Sequence, residues 1–144
     1  MKIALGCDHG GYELKQFVMK TLEKLGYEYE DFGCYSTESC DYPDFGAAAA
    51  RAVAEGKCDR GIVICTTGIG ISITANRYKG IRAAVCGDCF SAEATRLHND
   101  ANILAMGARV TGTGLAMKIV DTFLDTEFSG AERHARRIRM IDED

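Results

Sequence analysis

Along the chain, short runs of apolar residues alternate with longer stretches in which apolar positions recur every three or four residues. IALGC (3–7), YEYEDF (27–32), GIVIC (61–65), IRAAVC (81–86) and NILAMG (102–107) have the length and make-up of strands. In 12–25, Leu14, Phe17, Val18, Leu22 and Leu25 fall on one helical stripe, and Gly26 comes next as a C-terminal stop. Segment 44–55 is alanine-rich around Phe45 and Val53, 90–98 and 112–124 keep the same period, and 130–141 reads as a basic helical tail. GIVIC shows no polar alternation, the pattern of a central strand covered on both faces. Five strands interleaved with helices predict an α/β fold, a Rossmann-like three-layer sandwich whose five-stranded parallel sheet carries helices on both faces. There is one proline, Pro43, and no repeat, low-complexity stretch or linker, so 1–144 is expected to form a single domain.

Composition narrows the function classes. Hydrophobic residues make up 47% of the 144 and charged residues 26%, an ordinary globular balance. A net charge of −4 argues against a broad basic surface for nucleic acid or anionic membrane. The apolar runs are too short to span a bilayer, and MKIALGCDHGG enters a strand at once without a signal-peptide core, so a cytoplasmic protein is expected. Seven cysteines, odd in number and irregular in spacing, do not form a disulfide framework. Cys86 and Cys89 make a lone CxxC, but a zinc site needs a second pair or histidines in step, so no metal is expected. Most of these cysteines should be small buried apolar residues.

In open parallel sheets ligands bind beyond the carboxyl ends of the strands, which directs attention to the residue after each one. The first strand leads into Cys7, Asp8, His9, Gly10 and Gly11, either a capped turn or a ligand site for hydroxyls and an anion. GCDHGG is not a dinucleotide fingerprint, and no Walker A loop comes after the third strand. That strand runs instead into Cys65-Thr66-Thr67-Gly68-Ile69-Gly70-Ile71-Ser72, a glycine-rich turn leading straight into a helix start. Glycines allow close backbone approach, and free amides at a helix start serve as oxyanion donors. Cys65 stands beside that positive end, which favours a thiolate able to act as nucleophile or as general base. His98 and Asn99 precede the fifth strand and Arg109 comes after it. The tail crowds Arg133, His134, Arg136, Arg137 and Arg139 into seven positions. Arg133 and Arg137, at i and i+4, share a helical face and could clamp a phosphate, unless the tail is a solvated helix paired with Glu132 and Asp142.

Taken together, KIALGCDHGGYELK, DYPDFG, GIVICTTGIGISITANRYKGIRAAVC, HNDANILAMGARV and the RHARR tail resemble the ribose-5-phosphate isomerase B family, whose relatives include the lactose A/B type sugar-phosphate isomerases. The resemblance covers nearly the whole chain. It implies interconversion of ribose 5-phosphate and ribulose 5-phosphate through a cis-enediolate, with no cofactor. On it, Cys65 stands at the base that moves a proton between C2 and C1, and His98 at the residue that opens the furanose ring. Asp8 lies near the ring oxygens, Thr67 near the carbonyl end, and the amides of Gly68, Ile69, Gly70 and Ser72 at the enediolate cradle. His9, Arg109, Arg133 and Arg137 correspond to phosphate contacts, Tyr42 and Asn99 to sugar contacts. The family builds each site from two subunits, which implies a homodimer, with or without pairing into a tetramer, whose partner chain brings the His98 and Asn99 region.

Two departures stand out. Thr66 replaces the glycine of the usual CGTG pattern and puts a β-branched side chain into the turn beside the substrate. The tail reads GAERHARR where relatives commonly have GGRH. Relatives acting on six-carbon phosphates (allose, galactose or tagatose type) share the scaffold, and a non-catalytic sugar-phosphate sensor would keep the grip without the base. The joint presence of Cys65 and His98 favours the enzyme.

Overall fold

The computed structural model describes residues 1–143. Five parallel strands, β1 (Lys2–Cys7), β2 (Glu28–Asp31), β3 (Arg60–Cys65), β4 (Ala83–Val85) and β5 (Ile103–Gly107), form one sheet in the order β2-β1-β3-β5-β4. Six helices accompany them: α1 (Tyr12–Leu25), α2 (Tyr42–Ala54), α3 (Ile69–Ala75), α4 (Cys89–Asn99), α5 (Thr113–Asp125) and α6 (Glu132–Asp142). The expected three-layer α/β architecture is the one observed.

Most element ends lie within one or two residues of the pattern reading, and two of the differences have a clear local reason. Helix α2 begins at Tyr42 rather than 44, because Pro43 lies in the first turn, where its missing N–H is no loss. Strand β4 is shorter than 81–86, since the Arg82 N–H is taken by the Asn102 side chain at 2.9 Å and the Ile81 N–H by the Tyr78 carbonyl.

Alternation along the strands divides the core in two. Ile3, Leu5, Ile62, Ile64, Leu104 and Met106 pack against α1, α4 and α5. On the opposite face, Ala4, Val63, Cys65, Ile103 and Ala105 meet α2 and α3. That second face mixes small side chains with Val63 and Ile103, and α2 packs on it through Ala49, Ala50 and Ala52 of the alanine-rich segment. The chain leaves β1 for β2, then crosses back past β1 to β3, so the direction of winding reverses between β1 and β3.

Candidate active site

The residues expected to carry chemistry fall into two groups. The first lies at the carboxyl edge of the sheet. Asp8 succeeds β1 and is buried; its Oδ1 accepts the Gly11 N–H at 3.1 Å and caps the single 3-10 turn His9–Gly11. His9 accepts the Cys40 N–H on Nδ1 at 3.2 Å, which assigns the ring proton to Nε2 and leaves that N–H to donate. Tyr42, the first residue of α2, lies across Gly70, where an added Cβ would come within 2.7 Å of the phenol ring.

Cys65 ends β3, only 4% exposed, and its Sγ receives the Gly68 N–H at 3.1 Å. Gly68 has φ +81, and a side chain there would meet the Met106 carbonyl carbon at 2.8 Å, so the turn needs glycine twice over. The Thr67 hydroxyl accepts the Ile69 N–H at 3.2 Å and retains its own proton for donation. The Ser72 hydroxyl turns back to the Ile69 carbonyl at 2.7 Å and its N–H to the Gly68 carbonyl at 3.2 Å, so contrary to expectation Ser72 offers the cradle no free donor, the helix having taken both. Among the described residues, no acceptor takes the N–H of Gly70 or Ile71. The turn thus gives one amide, that of Gly68, to the thiol and leaves those of Gly70 and Ile71 free beside it in the chain.

Past β5 the pairing continues, with Ala108 N–H on the Cys65 carbonyl at 2.9 Å and Arg109 N–H on the Thr66 carbonyl at 3.1 Å. This ties the exposed Arg109 to the turn, at one wall of a cleft of about 370 Å³ that Gly10, Glu13 and Thr111 also line. Thr66 faces the same region, its hydroxyl packed over Gly10, where a Cβ would lie 2.6 Å away.

The second group lies at the other pole. Helix α4 returns antiparallel to the strands, so His98 and Asn99 in its last turn sit at the amino edge of the sheet, just before β5. Two arginines hold that end. Arg82 donates to the Asn99 and Asp100 carbonyls at 2.9 and 3.1 Å. Arg96, 3% exposed, pairs with Asp100 at 2.8 Å and donates to the Ala101 and Thr126 carbonyls. Helix α6 packs on α4, and the His134 ring stacks on His98 with centroids 4.5 Å apart and planes 22° apart. Glu132 pairs with Arg139 and Asp142 with Arg82, while no ion pair among the described residues reaches Arg133, Arg136 or Arg137. One chain thus assembles Asp8, His9, Tyr42, residues 65–72 and Arg109, and separately His98, Asn99, Arg133 and Arg137.

Pattern reading passes over Lys15, fully buried on α1, whose ammonium pairs with Asp31 at 2.6 Å and donates to the Cys34 carbonyl. It pins the segment leading to Cys40 and so, through Cys40, the His9 ring. In the sequence His134 is one member of a basic tail, although it begins the stripe His134, Ile138, Ile141. Burial pushes the Cys7 thiol up to about 12 and the Cys86 thiol up to about 11, which makes both inert. Burial likewise holds the His134 imidazole below its ordinary value, helped by Arg133, His98 and Arg137. Among the described residues no three His, Cys, Asp or Glu side chains converge as a metal site would, and no helix is long and apolar enough to cross a membrane.

Known sugar-phosphate isomerases are similar to this chain over nearly its full length. Ribose-5-phosphate isomerase B of Escherichia coli is 49% identical over 140 residues, covering 97% of this chain and 93% of that protein. The galactose-6-phosphate isomerase subunit LacB of Clostridium acetobutylicum is 40% identical over 143 residues, covering 99% and 83%. The structure of Clostridium thermocellum ribose-5-phosphate isomerase B superposes with a TM-score of 0.97 at 59% identity, covering 99% of this chain and 96% of that one. The ribose/galactose isomerase family model matches residues 3–141, and the chain belongs to that family.

Proposed function

We propose that the protein is an aldose–ketose isomerase interconverting ribose 5-phosphate and ribulose 5-phosphate, working as a homodimer with shared sites. The observation that carries the reading is the Cys65 thiol at the end of a central strand, bound to the Gly68 N–H and followed by a turn with two free amides, those of Gly70 and Ile71. His98 of the partner subunit opens the furanose ring, with Asp8 near the ring oxygens. Cys65, as thiolate, takes the proton from C2 of the open aldose. The electron pair moves to the C1 carbonyl oxygen, giving a cis-enediolate held by the Thr67 hydroxyl and the free amides of Gly70 and Ile71. Return of the proton to C1, with transfer of the O2 proton to O1, leaves the ketone at C2. Tyr42 and the partner's Asn99 position the sugar. His9 Nε2–H and Arg109 bind the phosphate, joined by the partner's Arg133 and Arg137, whose lack of carboxylate partners suits an anion. That remote grip positions C1 and C2 against the base.

The opposite placement of the two groups in one chain supports the shared site, because neither pole holds both a base and a ring opener. The exposed apolar residues Ile69, Ile73, Val85 and Phe90 along the β4 side supply a surface for a second copy. Cys65→Ser tests the base. Turnover should fall by roughly 10²- to 10⁴-fold while binding of ribitol 5-phosphate, which cannot react, is retained. Near wild-type turnover would overturn the assignment. In deuterated water, product should carry deuterium at the transferred position. Specificity constants measured side by side for five- and six-carbon phosphates decide whether Thr66 restricts chain length.

A further inference from the structure

We propose that His134 is a positioning residue for ring opening, its imidazole serving as the platform that fixes the plane of His98. The inference rests on the ring-opening role proposed above for His98. His98 stands in the last turn of α4 with its side chain exposed, and no hydrogen bond to its ring is found among the described residues. A ring attached through two rotatable bonds and anchored by nothing else would sweep a wide arc. Among the described residues of its own chain, the contact that restrains it is a ring stack with one neighbour. His134 is the buried residue of α6, and its ring lies on that of His98 at 4.5 Å with an interplanar angle of 22°, a stacked geometry.

The platform itself is well held. Helix α6 packs against α4, and the Ser129 N–H bonds to the Leu97 carbonyl at 3.3 Å just ahead of it. The charged groups that act on His134 are Arg133 and Arg137 from its own helix and His98 from α4; no carboxylate is among them. Burial and these cations disfavour a proton on His134. It therefore stays neutral while His98 gains and loses a proton. A neutral imidazole beneath a ring that becomes cationic attracts it, whereas a second imidazolium would repel it.

Arg133 and Arg137 flank His134 on the same helix. The segment that brings the phosphate clamp thus also sets the angle of the ring opener, and the two functions share one support.

The test uses the intact protein and two substrates. Ribose 5-phosphate must be opened, whereas an aldopentose 5-phosphate without its 4-hydroxyl cannot close a furanose ring. His134→Leu keeps the bulk that seals α6 on α4 but offers no flat face. It should lower kcat/KM for ribose 5-phosphate by about tenfold or more and leave the acyclic substrate within about twofold. His134→Phe restores the face without the nitrogens and should recover most of the loss. Combined with His98→Asn, His134→Leu should cost nothing further on the cyclic substrate, since both act through one ring. Equal losses on the two substrates, additive losses in the double variant, or no rescue by phenylalanine would overturn the proposal. If His98→Asn alone impaired both substrates equally, it would be the ring-opening reading that fell, and the positioning role with it.

Discussion

Gly107→Ala probes the active-site turn from behind. Gly107 ends β5 in register with Cys65, and a Cβ built on it would lie 2.6 Å from both the carbonyl carbon and the oxygen of Thr67 and 2.8 Å from its Cα. These are backbone atoms, so no rotamer change relieves the clash. Reaching ordinary contact at 3.4 Å requires the Thr67–Gly68 peptide to retreat by 0.8 Å, the difference between 3.4 and 2.6. Overpacking of this kind costs about 1–3 kcal/mol, which for a domain of this size lowers Tm by roughly 3–10 °C. The catalytic consequence is larger. The displaced peptide carries the Gly68 N–H now 3.1 Å from Cys65 Sγ and adjoins the Thr67 hydroxyl. A misplacement approaching 1 Å costs on the order of 10²-fold in rate. The loss should fall mainly on kcat, because of the proposed phosphate contacts only Arg109, whose N–H bonds to the Thr66 carbonyl, is tied to this turn. Steady-state kinetics and a melting curve read both effects. As a control, Gly114→Ala in α5 adds a methyl that meets nothing within 4 Å and should raise stability by about 0.5–1 kcal/mol. A Gly107→Ala protein with wild-type Tm and kcat would show that the turn is not braced by β5, and the geometric reasoning would fail.

Other measurements reach different parts of the structure. Mixed and re-equilibrated, inactive Cys65→Ser and His98→Asn proteins should regain about a quarter of wild-type activity, since half the dimers are heterodimers and each holds one intact site; no recovery would sink the shared-site reading. Lys15→Met strands the Asp31 carboxylate and the Cys34 carbonyl and should cost about 3–5 kcal/mol in denaturant unfolding, with Asp31→Asn in the same chain returning part of it. Cys7 and Cys86 keep their protons to about 12 and about 11 in the fold, against 9.0 ordinarily. Above pH 9 the unfolded chain binds fewer protons than the folded one, so stability should fall as pH rises toward 11, by up to about 1.4 kcal/mol per unit for each thiol. A Cys7→Ala/Cys86→Ala protein should show a shallower alkaline limb; an identical slope would rule out the two thiols as its cause.

The parallel sheet is legible in the sequence because GIVIC and its neighbours carry the unbroken apolar runs that two covered faces demand. The turn after Cys65 is legible because strand, glycines and helix start are contiguous. Other features are hidden for physical reasons. Lys15 sits beside Leu14 on α1 and resembles a solvated charge; only the fold brings Asp31 and the Cys34 carbonyl to it. The Asp88 side chain caps α4 by accepting the Ser91 N–H, a short-range contact, yet nothing local says that Arg82 and Arg96 clasp the far end of that helix. His134 is masked by the arginines around it, and the apolar residues at its helical spacing do not betray it, since Ile138 is half-buried and Ile141 is exposed. Local patterns specify elements and their turns, whereas long-range contacts of charged side chains leave no periodic trace.

The separation of the two poles has a geometric consequence for assembly. Helix α4 spans 11 residues from Cys89 to Asn99, about 15 Å at 1.5 Å per residue, and carries Phe90 at the carboxyl pole and His98 at the amino pole. Bringing His98 of one copy to Cys65 of another therefore requires the two copies to lie antiparallel along this helix. A twofold axis does so, and because it is isologous it completes both sites at once. The face available is the short β4 edge, where Val85 is 44% and Phe90 80% exposed, with Ile69 and Ile73 of α3 beside it. A three-residue edge strand flanked by such residues gains from being covered. Ile69 also opens the helix after the Cys65 turn, so in the proposed dimer the joining surface and the proposed enediolate cradle would share α3. Weakening this contact should then lower kcat as well as dimer affinity, because the helix that positions the donors would lose one of its supports.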